Sequence, residues 1–219
     1  MEAHDHSNGN DGAPTQLAVI IDHSAKEHPL IQRSTLVVGI GASAGGVEAL
    51  SRFFDAMPPD SGAAFVIVLH LDPTRESQMA HVLSSHTKMS VVQVADDMKI
   101  MPNMVYVIAP DKDLTVRGGI LHLAEPAESR GHRHPVDVLF RSLAADQGER
   151  TIAIVLSGTG SNGTDGLKEV RAAGGLVLIQ DPPTAKFDGM PRSAIAAGMA
   201  DHIVAPEAMP EILVRYINQ

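Results

Sequence analysis

One short segment, residues 35–46, constrains the fold more than any other part of the chain. It reads Thr-Leu-Val-Val-Gly-Ile-Gly-Ala-Ser-Ala-Gly-Gly, an apolar β-branched run that ends in small residues. An amphipathic helix pattern follows at once, with apolar side chains at Val47, Leu50, Phe53 and Phe54. This order predicts a buried strand, a tight turn and a helix.

The turn of this segment admits two chemical interpretations. Ser43 stands in a Gly-x-Ser-x-Gly pattern, as in a nucleophile elbow, where small neighbours let a hydroxyl stand exposed on a strained corner. The letters from Gly39 to Ala44 also nearly match the dinucleotide-binding fingerprint. A dinucleotide site needs an acidic residue about 20 positions later, at the end of the next strand. Here the next predicted strand ends in His70, which favours the elbow and weakens the dinucleotide alternative.

Strand and helix patterns alternate along the rest of the chain. Apolar strands are predicted at 36–40, 65–69, 91–94, 105–108, 152–156 and 176–179, and helices at 46–56, 76–85, 136–147, 166–173, 192–197 and 207–217. The first, second and fifth strands are nearly continuous apolar runs, as parallel strands covered on both faces are. The pattern predicts an α/β fold with a doubly wound, mostly parallel sheet flanked by helices. Residues 114–123 predict a small antiparallel hairpin around a Gly-Gly turn.

Composition limits the classes of function. The net charge of −9 and the aromatic content of 3% disfavour nucleic-acid binding, which needs clustered cations and stacking rings. The chain has no cysteine, which excludes disulfides, thiolate catalysis and cysteine-based zinc sites. The histidines form no recognised metal signature, so we expect neither a metal nor a cofactor. No apolar run is long enough to span a bilayer and no secretory leader is apparent, so we expect a cytoplasmic protein without membrane insertion.

The first 33 residues differ in composition from the remainder. They are rich in His, Asp, Asn, Gly and Ser, and only residues 17–21 form an apolar run. Such a segment buries too little apolar surface to offset the entropy of ordering. We predict a polar, partly disordered tail at 1–33, followed by a catalytic domain at 34–219.

Three of the predicted strands end in residues that could act together. Ser43 follows the first strand, His70 follows the second, and a glycine-rich loop at 157–163 follows the fifth. The carboxyl ends of parallel strands form the ligand crevice of an open α/β sheet. A serine needs a base within hydrogen-bond reach, and a glycine-rich loop can aim backbone N–H groups at a developing oxyanion. The pattern therefore indicates acyl transfer, provided that the three strands are neighbours.

The motifs at these strand ends resemble those of the catalytic domain of chemotaxis-type protein-glutamate methylesterases. The segments that carry the resemblance are Val38–Gly46, Val68–Pro73, His134–Phe140, Leu156–Gly160 and Phe187–Arg192. Residues 147–150 and 180–182 look most like the methylesterase domains fused to receptor methyltransferase and sensor domains. The resemblance implies a hydrolase of glutamate γ-methyl esters on the cytoplasmic helices of chemoreceptors. Some members of the family also deamidate glutamine there.

The resemblance also implies roles for individual residues. Ser43 matches the nucleophile and His70 the base, and the backbone N–H groups of Thr159 and Ala44 are the expected oxyanion donors. Asn162 stands where the family has the aspartate of a Ser-His-Asp triad. An amide cannot supply the anion that stabilises an imidazolium, and the same replacement in a serine protease lowers kcat by about 10⁴. The chain is therefore expected to be a methylesterase or, alternatively, a catalytically impaired binding or regulatory domain of the same type.

Two further features bear on the missing aspartate and on regulation. Asp165 lies three residues after Asn162 and is a candidate substitute acid, although an acid in a first helical turn also favours the helix dipole. Deamidation of Asn162, which precedes a glycine, would create the aspartate directly. The tail is too short and too polar to be a receiver domain, so regulation by aspartyl phosphorylation within this chain is unsupported. The resemblance implies that the partners are a methylated receptor and fused or associated signalling domains.

Overall fold

The computed structural model describes residues 35–69, 78–126 and 133–219. The predicted N-terminal tail and His70 lie outside these ranges. The strands are β1 (Val37–Ala42), β2 (Ala64–Leu69), β3 (Ser90–Gln93), β4 (Met98–Lys99), β5 (Met104–Val107), β6 (Asp113–Arg117), β7 (Ile120–Ala124), β8 (Ile152–Val155), β9 (Leu176–Gln180) and β10 (His202–Val204). The helices are α1 (Gly46–Ala56), α2 (Met79–Ser84), α3 (Pro135–Gln147), α4 (Thr164–Ala172), α5 (Gly189–Ala196) and α6 (Met209–Ile217).

The strands form two sheets. A seven-stranded sheet has the order β10-β9-β8-β1-β2-β5-β3, and its paired strands run parallel. A three-stranded antiparallel sheet has the order β4-β7-β6 and contains the predicted hairpin. The predicted α/β architecture is therefore confirmed. The sequence patterns missed β4 and β10, since two or three residues are too few to show a period.

The strand order of the large sheet reverses between β1 and β8. After β1 the chain moves to β2 on one side, whereas after β8 it moves to β9 on the other side. The loops that leave β1 and β8 therefore diverge and open a crevice at the carboxyl ends of these two strands. In open α/β sheets ligands bind at such a switch point.

Helices cover both faces of the large sheet. One buried cluster combines side chains of α3, α4 and α5 with the small sheet, and the other combines α1, α2 and α6. Along β1, the side chains of Val38, Ile40 and Ala42 belong to the second cluster. Val37 belongs to the first cluster, so the alternation of side chains assigns each strand position to one layer.

Two glycines of β1 allow α3 to lie directly on the strand. A Cβ atom added at Gly39 would overlap the side chain of Leu143, and one added at Gly41 would overlap that of Val136. The Gly-x-Gly spacing is therefore required by the close approach of a helix. This packing explains both glycines without a bound phosphate.

None of the helices in the described ranges is long and apolar enough to cross a membrane.

Candidate active site

The turn after β1 places Ser43 at the mouth of the crevice between β1 and β8. The Ser43 N–H donates to the carbonyl of Ser157 at 3.0 Å, and the Ser43 carbonyl accepts from the N–H of Gly46 at 2.9 Å. Gly45 has a φ of 73°, in the left-handed region that glycine occupies without strain. The side chain of Ser43 is half-buried. Strand, turn and helix thus have the order that the sequence predicts, and Ser43 lies at the corner between them.

Ser157 joins the Ser43 turn to two neighbouring segments. Its hydroxyl lies 2.8 Å from the carbonyl of Ala44 and 3.2 Å from that of Phe187, and accepts from the Phe187 N–H at 3.0 Å. Its own N–H donates to the side-chain oxygen of Gln180 at 2.8 Å. Ser157 is 1% exposed, so these hydrogen bonds are shielded from water. One buried residue therefore connects β8, the Ser43 turn and the segment before α5.

The loop after β8 passes between Ser43 and α5. A Cβ atom added at Gly158 would lie 3.1 Å from the Cβ of Ser43 and would overlap the sulfur of Met190. The Gly158 N–H donates to the carbonyl of Phe187, and its carbonyl accepts from the Met190 N–H, each at 2.9 Å. Only a glycine fits here, and these contacts hold the start of the 157–163 loop against the serine.

Two backbone N–H groups near Ser43 retain the capacity to donate. In the described part of the chain, neither the N–H of Ala44 nor that of Thr159 donates a hydrogen bond to another residue. Ala44 follows Ser43 directly, and Thr159 follows the glycine that contacts it. An oxyanion hole requires N–H donors that are unused in the resting protein.

The strand that precedes His70 is the neighbour of β1. Ala42 and Leu69, the last residues of β1 and β2, are paired in register. Ser43 and His70 are therefore the next positions of two adjacent parallel strands, although His70 itself lies outside the described residues. Because β8 flanks β1 on the other side, the expectation that the three strands are neighbours is confirmed.

Asn162 is tied to the first turn of α3. The backbone N–H of Asp137 donates to Oδ1 of Asn162 at 3.3 Å. Since an N–H group can donate only to the oxygen, this contact fixes the amide orientation and turns Nδ2 to the other side. The buried carboxylate of Asp137 accepts from the N–H of Gly166 at 2.6 Å, which joins the first turns of α3 and α4.

Asp165 lies on the exposed side of α4. Its carboxylate accepts a hydrogen bond from Lys168 at 2.6 Å, and this bond is the main cause of the lowered pKa of Asp165. The residue also lines a surface cavity of about 230 Å³, together with side chains that include Arg133, His134 and Arg141. The structure thus gives Asp165 a surface partner of its own, and its service as a substitute acid stays a prediction.

Sequence reasoning missed two residues that shape this site. Ser157 lies in the Leu156–Gly160 segment, but in the sequence a serine before a glycine looks like an ordinary turn residue. Asp137 is buried and holds a backbone N–H, yet it reads as an ordinary acid in a first helical turn. Only the three-dimensional contacts distinguish these residues from their neighbours.

In the described ranges, one group of three side chains could hold a metal ion. It consists of Asp96, Asp97 and His122, lies beside the small sheet and is largely exposed. It involves none of the strand ends that surround Ser43.

Comparison with known proteins identifies the family. The sequence profile of the CheB methylesterase family matches residues 38–213. This chain belongs to the CheB methylesterase family. The match includes Ser43, the position of His70 and the loop that contains Thr159 and Asn162, so the resemblance predicted from the motifs is confirmed.

Similar proteins include one named methylesterase and one uncharacterized protein. The chain is 35% identical over 213 residues to the protein-glutamate methylesterase/protein-glutamine glutaminase 3 of Geobacter metallireducens, covering 94% of the chain and 59% of that protein. It is 46% identical over 139 residues to an uncharacterized 104.1 kDa protein of Rhodobacter capsulatus, covering 64% of the chain and 14% of that protein. The chain thus spans only part of the length of these relatives.

A solved CheB structure has the same fold. The chain matches the crystal structure of the Thermotoga maritima CheB methylesterase catalytic domain with a TM-score of 0.77 and 31% sequence identity. The match covers 84% of this chain and 99% of the Thermotoga domain. The α/β architecture and the family assignment therefore agree.

Proposed function

We propose that this chain hydrolyses glutamate γ-methyl esters on chemoreceptor-type proteins, with Ser43 as the nucleophile. The observation that carries the proposal is the position of Ser43 at the switch point, beside the strand that leads to His70, together with the N–H groups of Ala44 and Thr159, which donate to no other described residue. The names of the CheB relatives support the choice of substrate. We place the activity in the cytoplasm, where the methylated helices of chemoreceptors lie.

The proposed reaction has two steps on one serine. His70 takes the proton of Ser43 Oγ as the oxygen attacks the γ-carbonyl carbon, and the oxyanion accepts hydrogen bonds from the N–H groups of Ala44 and Thr159. The tetrahedral intermediate collapses, and His70 gives its proton to the departing methanol. Water, deprotonated by His70, then attacks the acyl-serine and releases glutamate, and the proton returns to Ser43.

The same geometry supports deamidation of glutamine. A γ-amide presents the same carbonyl to Ser43, and ammonia replaces methanol as the leaving group. Several CheB relatives are named protein-glutamine glutaminases as well as methylesterases. We include this reaction in the proposal, with ammonia release as its readout.

Asn162 supports an alternative function, that of a catalytically impaired domain that binds the receptor. Because Oδ1 of Asn162 accepts from the Asp137 N–H, the group left to meet an imidazole is the Nδ2 donor. A donor there selects the histidine tautomer that cannot accept the serine proton. An aspartate would keep one oxygen on the Asp137 N–H, offer the other to the imidazole, and place its charge favourably at the start of α3.

Methanol release from a methylated chemoreceptor fragment tests both functions. If the chain is an esterase, the parent should release methanol and Ser43→Ala should release none above background. Equal rates for these two proteins would contradict the serine mechanism.

The Asn162→Asp variant separates a weak esterase from a silent domain. We expect it to raise kcat, by up to about 10⁴-fold. If the parent binds the fragment but releases no methanol, and Asn162→Asp does release methanol, the binding-domain alternative is established. Inactivity of both proteins against ester and amide contradicts the proposed chemistry.

A further inference from the structure

The segment before α5 brings two side chains against the nucleophile turn. A Cβ atom added at Gly45 would lie 2.8 Å from the Cβ of Lys186 and 3.2 Å from Cδ2 of Phe187. Lys186 and Phe187 therefore flank the backbone two residues after Ser43. We call the side chains of Lys186 and Phe187 the 186–187 surface.

The backbone of Phe187, which carries part of the 186–187 surface, is held by hydrogen bonds. The Phe187 N–H donates to the buried hydroxyl of Ser157, and the Phe187 carbonyl accepts from the Gly158 N–H. The backbone of Phe187 is thus locked to the residues that position Ser43. Because this backbone is already ordered, a partner that contacts Phe187 does not incur the entropy cost of ordering the main chain.

The Phe187 ring is apolar and exposed in spite of this anchoring. It is 41% exposed, and the other exposed large apolar side chains among the described residues are Met101 and Ile203. Of these three, Phe187 is the one that contacts the nucleophile turn. An exposed aromatic ring on an ordered backbone is a typical anchor for a bound partner.

The charge of Lys186 is available to a partner. In the described part of the chain Lys186 forms no ion pair, whereas the neighbouring Asp188 is paired with Arg192 at 2.5 Å. Among the described residues, the surface next to Ser43 therefore presents a ring and a cation without an ion-pair partner, although the whole chain carries a net charge of −9.

We propose that the 186–187 surface binds a carboxylate-rich helix and selects the methyl ester over the free glutamate at Ser43. The inference rests on the proposed function. Phe187 packs on the methylenes and methyl group of the esterified side chain, which carries no charge to desolvate, whereas a free carboxylate beside the ring loses hydration. Lys186 attracts an unmodified carboxylate one helical turn away, where side chains lie about 5–6 Å apart.

Binding of synthetic helical peptides tests this surface independently of turnover. The probes are one glutamate-rich peptide with a single γ-methyl ester and the same peptide with free glutamate, titrated into Ser43→Ala protein. We expect the parent surface to prefer the ester. Adding Phe187→Ala should weaken ester binding about tenfold and abolish the preference, whereas Phe187→Leu should retain most of both. Adding Lys186→Gln should weaken both peptides about threefold and flatten the salt dependence.

Matched controls come from surfaces far from Ser43 in the sequence. Ile203→Ala removes an apolar side chain of similar exposure, and Lys88→Gln removes another exposed lysine, and neither should change peptide affinity. Thermal melting checks that each variant is folded. Failure of the ester peptide to bind, or binding within twofold of the parent by folded Phe187→Ala, overturns the inference.

Methanol release distinguishes this inference from the proposed function. If Ser43-intact protein releases methanol and Phe187→Ala releases it with the same kcat/KM, the function stands and the surface assignment fails. If no methanol appears but ester binding depends on Phe187, the surface stands and the proposed chemistry fails.

Discussion

At the scale of single residues, the hydroxyl of Ser157 joins two parts of the candidate site. It connects the carbonyl of Ala44 with the backbone of Phe187, while the Ser157 carbonyl holds Ser43. The nucleophile turn and the adjacent surface therefore share one buried hydrogen-bonding group. Its effect on catalysis should be positional, because the proposed reaction includes no proton transfer to it.

The Ser157→Ala variant tests this positioning role. It leaves the Phe187 N–H without its acceptor, so we expect kcat for methyl-ester hydrolysis to fall about ten- to hundredfold, the equivalent of about 1–3 kcal/mol. Ser157→Thr retains the hydroxyl and should recover most of the rate. Ser161→Ala, on the exposed part of the same loop, is the control. Loss of rate in Ser157→Ala that threonine fails to restore would argue against a role for the hydroxyl.

A second single residue, Tyr106, gives a pH-dependent prediction. Its buried hydroxyl accepts from the Met101 N–H at 2.8 Å and donates to the Lys99 carbonyl at 3.2 Å, and burial raises its pKa above the ordinary 10.0. Tyr106→Phe should lower the free energy of unfolding by about 1–2 kcal/mol at pH 7.

The sign of the pH effect follows from the raised pKa. The tyrosine contribution is fully present below pH 10, and is lost as the pH rises through the folded-state pKa, because the unfolded chain ionises first. The gap between parent and Tyr106→Phe should therefore shrink in denaturant titrations from pH 9 to 11. A gap that widens over this range would contradict the assignment.

At the scale of secondary-structure elements, the contact between β1 and α3 links packing to the site. Gly41 lets the side chain of Val136 approach the strand. The next residue of α3, Asp137, donates its backbone N–H to the side chain of Asn162. A displacement of α3 would therefore move the residue at the proposed third triad position. We therefore expect stability and catalysis to be coupled at this contact.

A double-mutant cycle measures that coupling. Gly41→Ala forces a methyl group into Val136, so we expect a loss of about 1–3 kcal/mol in the free energy of unfolding and a lower kcat. Val136→Ala alone costs stability by leaving a cavity. Combined with Gly41→Ala it should recover part of the loss, giving a favourable coupling energy. Strict additivity of the two effects would show that the side chains do not meet.

The elements also show what the sequence could predict. The strand–turn–helix at Ser43 and the hairpin were correct, because continuous apolar runs and a glycine turn have strong local signatures. The start of α5 was predicted three residues late, at Arg192, since its first turn is Gly189, Met190 and Pro191, which show no apolar period. The orientation of Asn162 was out of reach, because it depends on a helix 25 residues away in the chain.

At the scale of the whole molecule, the two buried clusters of the described ranges span nearly all of the predicted catalytic domain. The described core begins with Leu36 and Val37 and extends to Ile217. The composition of residues 1–33 predicts that they add little to it.

Removal of residues 1–33 tests the predicted domain boundary. We expect the shortened protein to melt within about 2 °C of the parent, a shift that corresponds to less than about 1 kcal/mol. Limited proteolysis of the full chain should cut first before residue 34. A drop of 10 °C or more would show that the tail belongs to the folded domain.

The reversal of strand order between β1 and β8 has a consequence for biosynthesis. Strands β1–β7 leave the ribosome before β8, so the nascent sheet has an open edge at β1 and the Ser43 turn lacks the carbonyl that anchors it. An unpaired strand edge can form hydrogen bonds with the wrong strand or with another chain. The Ser43 turn therefore acquires the geometry described above only when the second half of the chain docks, and truncated translation products should carry the serine without that geometry.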